Sequence, residues 1–203
     1  MNEEYRLERL TCLQVKQRIN ECGAVIVPLG GCEPFGDAGT LGTESVRVLE
    51  VAEELSKRCG VLAAPLIPFA CSTPFMAFAG AVGVKPRTFV NMLCDILRGY
   101  VFQGVNKIFL INAATFNKEP IDEAVRRLAK KYPRVKVVPY NINAADSRHN
   151  ADPYRTWKRR GKDPQKLRSL FPEGLLRSSD IDVSPECLDR VTEAIRNEIG
   201  AAL

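Results

Sequence analysis

The sequence predicts an α/β protein built as a three-layer α/β/α sandwich around a mostly parallel sheet. Short apolar runs, typical of buried strands, alternate along the chain with longer segments of helical periodicity. Strands that are separated by helices of about ten or more residues pair in parallel through right-handed crossovers. The 203 residues suffice for one domain with a sizeable core. We therefore predict a single domain over residues 1–203.

The first part of the chain predicts two helix–strand units. The first is a helix over Thr11–Glu21 followed by a strand over Ala24–Leu29. The second is a helix that begins near Thr43, with this threonine as its N-cap, and a strand over Val61–Leu66. In each unit the helix ends at a Cys-Gly pair, where the glycine can adopt the left-handed cap conformation.

The rest of the chain predicts three more helices and two more strands. In chain order they are a helix from Pro86, a strand over Lys107–Asn112, a helix that buries Ile121 to Leu128, a strand over Val135–Val138 closed by Pro139, and a last helix that opens at Ser184-Pro185. The segment 146–183 is polar and basic with little periodicity, and we interpret it as an irregular insertion before the last helix.

Composition excludes several classes of protein. No apolar run reaches the roughly 18 residues of a transmembrane helix, so we expect no membrane association. The charged N-terminus lacks the apolar stretch of a secretory signal. Seven cysteines, an odd number without a CxxC pair, indicate a reduced chain rather than a disulfide scaffold. These observations predict a cytoplasmic protein.

Ligands of parallel sheets bind in the crevice beyond the carboxyl ends of the strands. Three loops leave those ends: Gly30–Thr43, Ala70–Lys85 and Asn112–Asn117. Periodicity alone therefore predicts a pocket between these loops.

All three loops resemble motifs of the creatininase (creatinine amidohydrolase) family. From Val27 to Glu44 the chain reads VPLGGCEPFGDAGTLGTE, which is similar to the family's V-P-x-G followed by E-x-H-G-P-H-L-P-L-G-T-D. PFACSTPFMAFAG, from Pro68 to Gly80, resembles P-Y-G-x-S-x-x-H-x-x-F-P-G. INAATFN, which ends at Asn117, resembles V-N-G-H-G-G-N. The matches occur in order and cover about residues 13–140.

The resemblance implies a two-metal hydrolase whose glutamate, aspartate and histidine ligands activate a water for attack on an amide. The chain departs from that pattern at the ligands. Phe35, Ala38, Phe75 and Ala114 stand at the histidine positions, and Glu44 stands at the aspartate that closes the first motif. Glu33 is the one implied ligand that is kept unchanged, and it is our candidate catalytic residue.

Phenylalanine and alanine have no lone pair for a metal, whereas a zinc site needs about three or four nitrogen, sulfur or oxygen ligands. We therefore expect no cofactor and specifically disfavour zinc. Glu33, Asp37 and Glu44 form an alternative carboxylate cluster for Mn²⁺ or Mg²⁺, with Glu33 and Glu44 as the ligands if any metal binds. We favour the simpler interpretation that these carboxylates face water.

The expected ligand pocket consists of residues from the three loops: Glu33, Phe35, Asp37, Glu44, Cys71, Phe75, Asn112, Ala114 and Asn117. Its phenylalanines should fill the space that metals would need. Cys32 and Cys71 are interpreted as buried small residues rather than nucleophiles, because no base adjoins them. Asn117 has the alternative role of capping the fourth helix.

Two features lie outside these motifs. His149, the single histidine, stands in a segment that faintly resembles the family's H-A-G-E, and a surface position is the alternative. Seven lysines and arginines between residues 155 and 168 surround Trp157. Such a run is compatible with nucleic-acid binding, but we favour a solvated face or an oligomer contact.

Two functions remain. The first is a creatininase-fold protein with a degenerate metal site, which binds a small polar ligand or has a role in assembly. The second is a divergent hydrolase of cyclic amides or other non-peptide C–N bonds, with Glu33 as general base and a carboxylate-bound metal. The resemblance also implies a homo-oligomer.

Overall fold

The computed structural model describes residues 4–36, 39–142 and 183–200, together with residues 163, 165, 168 and 169. In this part of the chain four strands form one parallel sheet in the order β2-β1-β3-β4. They are β1 (Ala24–Leu29), β2 (Leu62–Ala63), β3 (Lys107–Asn112) and β4 (Lys136–Asn141). The predicted α/β class and the parallel sheet are confirmed.

Five helices cover the sheet in the described residues: α1 (Cys12–Cys22), α2 (Thr43–Cys59), α3 (Pro86–Phe102), α4 (Lys118–Lys131) and α5 (Pro185–Gly200). The apolar sides of α2 and α5 share one hydrophobic cluster with one face of the sheet. Those of α1, α3 and α4 share a second cluster with the other face. This is the predicted three-layer sandwich. Both faces of β1 are buried, which explains its continuous apolar run.

The first two helices terminate at the predicted glycines, whereas the predicted start of the second helix needs correction. Thr11 forms a capping box with Gln14 at the start of α1. Gly23 and Gly60 terminate α1 and α2 with φ of 60° and 68°, in the left-handed region that favours glycine. The predicted N-cap of α2 is wrong. Gly42 occupies the N-cap position and Thr43 is the first helical residue, whose hydroxyl donates to the Thr40 carbonyl oxygen (2.7 Å).

Two strand predictions need correction. The predicted strand over Val61–Leu66 is confined to Leu62–Ala63, and pairing resumes only at an isolated bridge between Leu29 and Ile67. The Ala64 N–H donates to the Ile26 carbonyl oxygen (2.7 Å) and the Ile67 N–H to the Pro28 carbonyl oxygen (3.0 Å), so this segment has one more residue than β1 between the two bonds and loses the regular register. Pro139 does not close β4 but lies inside it, opposite Leu110. A proline is tolerated there because β4 is at the edge of the described sheet.

The register between β1 and β3 brings the first and third loops of the predicted pocket together. Leu29, the last residue of β1, lies opposite Asn112, the last residue of β3. The Ala113 N–H then donates to the Leu29 carbonyl oxygen (3.0 Å), so the first and third loops leave the sheet side by side. No helix in the described part of the chain is long and apolar enough to cross a membrane.

Candidate functional site

Direct hydrogen bonds join the three predicted loops at the carboxyl edge of the sheet. The second loop contacts the third where the Cys71 N–H donates to Asn117 Oδ1 (2.9 Å). It contacts the first loop where the Ser72 hydroxyl donates to Glu33 Oε1 and where the Val82 N–H donates to the Cys32 carbonyl oxygen (3.3 Å). The predicted meeting of the loops is therefore confirmed.

Glu33 is completely buried at the centre of this meeting point. Its Oε1 accepts from Ser72, while its Oε2 has no hydrogen-bond partner among the described residues. Burial raises the pKa of the Glu33 carboxyl to about 7, although the hydrogen bond from Ser72 opposes that shift. Glu33 thus has a carboxyl group that changes its protonation near neutral pH.

Glu44 lies in the first turn of α2 and is buried as well. Its Oε2 lacks a hydrogen-bond partner within the described residues. Burial, and next the charge of Glu33, raise the pKa of Glu44 well above its ordinary value. A helix N-terminus favours a carboxylate by about 1 kcal/mol at most when exposed, so here burial outweighs it. The predicted solvent-facing carboxylates are wrong for both glutamates, and Asp37 lies outside the described residues.

Gly31 separates the two carboxyl groups, which we call the carboxylate pair. A Cβ atom at this position would collide with Glu44 Oε2 and would lie 3.4 Å from both Glu33 Cγ and the Ala70 methyl group. The Gly31 backbone is fixed because its carbonyl oxygen accepts from the Ser45 hydroxyl (2.8 Å). Close packing of the pair therefore requires glycine at position 31.

Apolar side chains stand at the positions that the motif resemblance aligns with histidines. Phe35, Phe75 and Ala114 are all buried. Both phenylalanine rings belong to the cluster between the sheet and α2 and α5, so neither points to solvent. Phe75 also makes an edge-to-face contact with Phe116, with ring centroids 5.3 Å apart. Ala38, at the remaining histidine position, lies outside the described residues.

Asn112 and Asn117 form a second buried polar group, which we call the amide pair. Asn112 Nδ2 donates to the Ala114 carbonyl oxygen (2.9 Å) and to Asn141 Oδ1 (2.8 Å). Its Oδ1 accepts from the Ala114 N–H (3.3 Å) and from Asn117 Nδ2 (3.2 Å). Asn117 occupies the predicted N-cap position of α4, but its side chain makes no capping hydrogen bond, because its Oδ1 accepts from the Cys71 N–H instead. The pair fastens β4 and the second loop to the third loop.

The two cysteines of these loops differ. Cys71 is buried, and burial, followed by the charge of Glu33, raises the pKa of its thiol to about 12. A thiol with such a pKa is protonated at neutral pH and is a poor nucleophile. Cys32 is only partly buried, which corrects its predicted burial, and its Sγ donates to the Gly80 carbonyl oxygen (3.4 Å).

Among the described residues, the donors around the carboxylate pair are fewer than a two-metal centre needs. The pair supplies two carboxylates with free oxygens, and Ser72 adds one hydroxyl. Apolar groups stand at the other ligand positions that the described residues include. Within those residues, no three histidine, cysteine, aspartate or glutamate side chains come together around a metal-sized space. A zinc site needs about three or four ligands and a calcium or magnesium site about six.

Some candidate residues do not belong to this arrangement. Cys71 belongs to it only through its bond to Asn117, and it also lines a cavity of about 410 Å³ between the second loop and the starts of α3 and α4, on the other side of the sheet from Phe35 and Phe75. His149 lies outside the described residues, as does Trp157 with most of the basic stretch 155–168. Arg168, at the end of that stretch, donates to the Ala77 carbonyl oxygen (2.9 Å) of the second loop.

Sequence reasoning missed the roles of Ser72 and Gly31. Ser72 stands at the serine of the second-loop motif, and this match could have marked it as a partner of the glutamate. Gly31 follows another glycine directly after a strand, a pattern that often marks a close approach to the backbone. Nothing in the sequence, however, indicates which side chain approaches it.

Comparison with known proteins agrees with the fold and the motifs. The creatininase family model, described as creatinine amidohydrolase, matches residues 8–171. The 3-dehydro-scyllo-inosose hydrolase of Thermotoga maritima is 24% identical in an alignment 190 residues long, which covers 88% of this chain and 60% of that protein. The chain therefore spans less than two thirds of this relative.

Solved structures resemble the whole fold. A structure named "Creatininase Mn" superposes with a TM-score of 0.66 at 17% identity and covers 97% of this chain and 99% of its own. A crystal structure of creatinine amidohydrolase gives a TM-score of 0.64 at 17% identity, with 99% and 97% covered. At such identities these structures show a shared fold.

Proposed function

Because the chain belongs to the creatininase family, we propose that it retains the family fold around a degenerate metal site and has a role in assembly rather than metal-dependent amide hydrolysis. One observation carries this proposal. The two carboxyl groups of the carboxylate pair are buried among apolar side chains, and Phe35, Phe75 and Ala114 are buried where the motif resemblance implies nitrogen ligands.

The chemistry of the site supports this proposal. Hydrolysis of an amide needs a nucleophilic water and a group that stabilises the charge developing on the carbonyl oxygen. Glu33 can accept a proton from water, but the groups beside it are a second carboxyl, a hydroxyl and apolar side chains. A small polar ligand would also have to reach oxygens that are buried, so assembly is the better supported role.

A divergent hydrolase is the second candidate function, and three observations favour it. Glu33 has a pKa of about 7, which suits a general base at neutral pH. Both carboxyl groups have an oxygen without a partner in the described residues, and such oxygens suit Mn²⁺ or Mg²⁺. The Thermotoga maritima relative is a hydrolase. In this alternative, Glu33 and Glu44 would hold the metal, which would supply a Lewis acid.

Metal content and turnover separate the two candidates. For protein purified without chelator, we expect less than about one tenth of an equivalent of zinc, because the nitrogen ligands of a catalytic zinc site are missing. Creatinine, related cyclic amides and 3-dehydro-scyllo-inosose should not be hydrolysed above background, with or without added Mn²⁺ or Mg²⁺. Thermal melts with each metal would detect weak binding, since a ligand of the folded state raises the midpoint.

Glu33→Gln is the control for this experiment, because it keeps the size of the side chain and an acceptor for Ser72. Turnover that this variant abolishes would establish the divergent hydrolase. So would tightly held stoichiometric metal that is lost in the same variant.

A further inference from the structure

The cavity of about 410 Å³ between the second loop and the starts of α3 and α4 is separate from the carboxylate pair. Two neighbouring residues of the second loop divide the two sites. The Ser72 hydroxyl donates to Glu33, whereas the Cys71 side chain lines the cavity. Its volume lies in the range of about 300–1,000 Å³ that is typical of small-molecule sites. We call it the α3–α4 cavity.

The buried part of the lining, which is the floor of the α3–α4 cavity, is apolar. It consists of Cys71, Val90 and Pro120, with the partly buried Phe116 beside them. The Cys71 thiol is uncharged at neutral pH, because burial raises its pKa to about 12. Within the described residues this thiol has no hydrogen-bond partner, although it is only 3% exposed. The floor therefore suits the apolar part of a ligand.

The wall formed by the second loop and α3 carries polar groups that are unused. In the part of the chain that the structure describes, neither the Thr73 hydroxyl nor the Arg87 guanidinium has a partner, and both residues line the cavity. Arg87 is the second residue of α3, and the N-cap of that helix, Lys85, makes no capping hydrogen bond with its side chain. The positive end of α3 thus adds to the charge of Arg87. A guanidinium pairs with a carboxylate through two parallel hydrogen bonds, so this wall favours an anionic group.

The wall formed by α4 limits the charge of that anion. Glu119, Glu123 and Arg127 line it. Arg127 donates to Glu123 (2.7 Å) and to Asn91 (3.2 Å), and Arg126 also donates to Glu123 (2.6 Å). The charge of Glu123 is therefore offset by its neighbours on α4, whereas Glu119 is a further carboxylate at this wall. Because Coulomb repulsion grows with charge, a dianion such as a phosphate ester is less favourable here than a monoanion.

We propose that the α3–α4 cavity binds a small organic monocarboxylate, whose apolar body lies on the floor and whose carboxylate pairs with Arg87. The Thr73 hydroxyl donates a further hydrogen bond to the ligand. The site lies at the carboxyl edge of the sheet, where parallel sheets bind their ligands. It uses no residue of the carboxylate pair, so this binding function goes beyond the assembly role and does not depend on it.

Titration of the full chain with three carboxylates tests the site: benzoate, phenylacetate and cyclohexanecarboxylate. Backbone amide NMR shifts follow each titration up to about 20 mM. We expect at least one of them to give saturable shifts, largest at Cys71, Thr73 and Arg87, with a Kd on the order of 1 mM, as expected for ligands of about ten non-hydrogen atoms. Benzyl alcohol and phenyl phosphate are the neutral and dianionic analogues of benzoate. Both should bind about fivefold more weakly or less, because the first cannot pair with Arg87 and the second meets the carboxylate of α4.

Arg87→Gln tests the partner of the carboxylate and should weaken binding about tenfold, because it removes the charge that the ligand needs. Lys85→Gln is the matched control. It removes the same charge two residues earlier, from an exposed side chain outside the lining of the cavity, and should change the Kd by less than about twofold. Thermal melts of both variants without ligand should match the wild type, because both side chains are exposed.

Three results would overturn the inference: no saturable shift with any of the three carboxylates, shifts centred away from the cavity, or equal affinity of the wild type and Arg87→Gln. Tighter binding of phenyl phosphate than of benzoate would contradict the assignment to a monocarboxylate. The metal and hydrolysis assays concern the carboxylate pair, so their outcome and that of the titrations are independent of each other.

Discussion

The amide pair and the carboxylate pair lie at the same edge of the sheet, and both consist of fully buried polar side chains. They differ in what surrounds their polar atoms. Asn112 has partners for both of its amide atoms, and Asn117 Oδ1 and Nδ2 are both used. Glu33 and Glu44 each retain an oxygen without a partner in the described residues. The amide pair therefore forms a fully hydrogen-bonded network, whereas the carboxylate pair does not.

This difference separates a structural role from a chemical one. A neutral, fully hydrogen-bonded network stabilises the loops that it joins. Two buried carboxyl groups side by side oppose folding, because burial and mutual repulsion disfavour their charged forms. Apolar packing around Phe35 and Phe75 must offset that cost. The comparison predicts that substitutions in the two pairs have different effects and that only the carboxylate pair responds to pH.

The largest effect is expected at the amide pair. Asn112→Ala removes four hydrogen bonds and leaves buried partners unsatisfied, so it should lower the free energy of unfolding by about 4 kcal/mol. Urea denaturation measures this change. Asn91→Ala is the control, because that exposed asparagine only accepts a hydrogen bond from Arg127, and it should cost less than about 0.5 kcal/mol. If both variants lost the same free energy of unfolding, the hydrogen bonds of the amide pair would not stabilise the contacts between the loops.

The next effect is a dependence of stability on pH. The pKa of Glu33 is raised from 4.5 to about 7 on folding, so the folded state binds this proton more tightly than the unfolded state. The contribution to stability is complete below about pH 4.5 and is lost as pH rises through about 7. At 1.36 kcal/mol per pH unit the loss is on the order of 3 kcal/mol.

Denaturation series across this pH range test the assignment to Glu33. Glu33→Gln has no proton to release, so its stability should decline less than that of the wild type between pH 4.5 and 7. Glu50→Gln, which removes an exposed carboxylate of α2, should give a profile parallel to that of the wild type. If Glu33→Gln also runs parallel to the wild type, the buried carboxyl is not the source of the pH dependence.

The smallest of the three effects concerns the spacing within the carboxylate pair. Gly31→Ala places a methyl group against Glu44 Oε2, and such overpacking should cost about 2 kcal/mol in the free energy of unfolding. The same substitution at Gly99, a helical position with no heavy atom within 4 Å of an added Cβ, should stabilise the protein by up to about 1 kcal/mol. Opposite signs in thermal melts would support close packing of the pair, and a neutral Gly31→Ala would refute it.

Much of the fold could be predicted because the signals that specify it are local. The apolar run of β1 and the Cys-Gly helix ends at Gly23 and Gly60 were read correctly, since periodicity and the left-handed conformation depend on neighbouring residues. The convergence of three loops also followed from the sequence, because the carboxyl ends of parallel strands share one edge. The strand extents predicted for Val61–Leu66 and at Pro139 were wrong, because they depend on the register with β1 and on which strand is at the edge.

The sequence by itself thus determined the layers, the parallel sheet and the family, and its motifs predicted apolar residues at the histidine positions. Only the tertiary structure decided that Glu33 and Glu44 are buried beside each other across Gly31, and that Asn117 bonds to Cys71 rather than capping α4. Burial and hydrogen-bond partners are set by residues far apart in the chain, such as Glu33 and Ser72. A loop glutamate has the same local sequence signal in water and in a core, and its surroundings alone move its pKa.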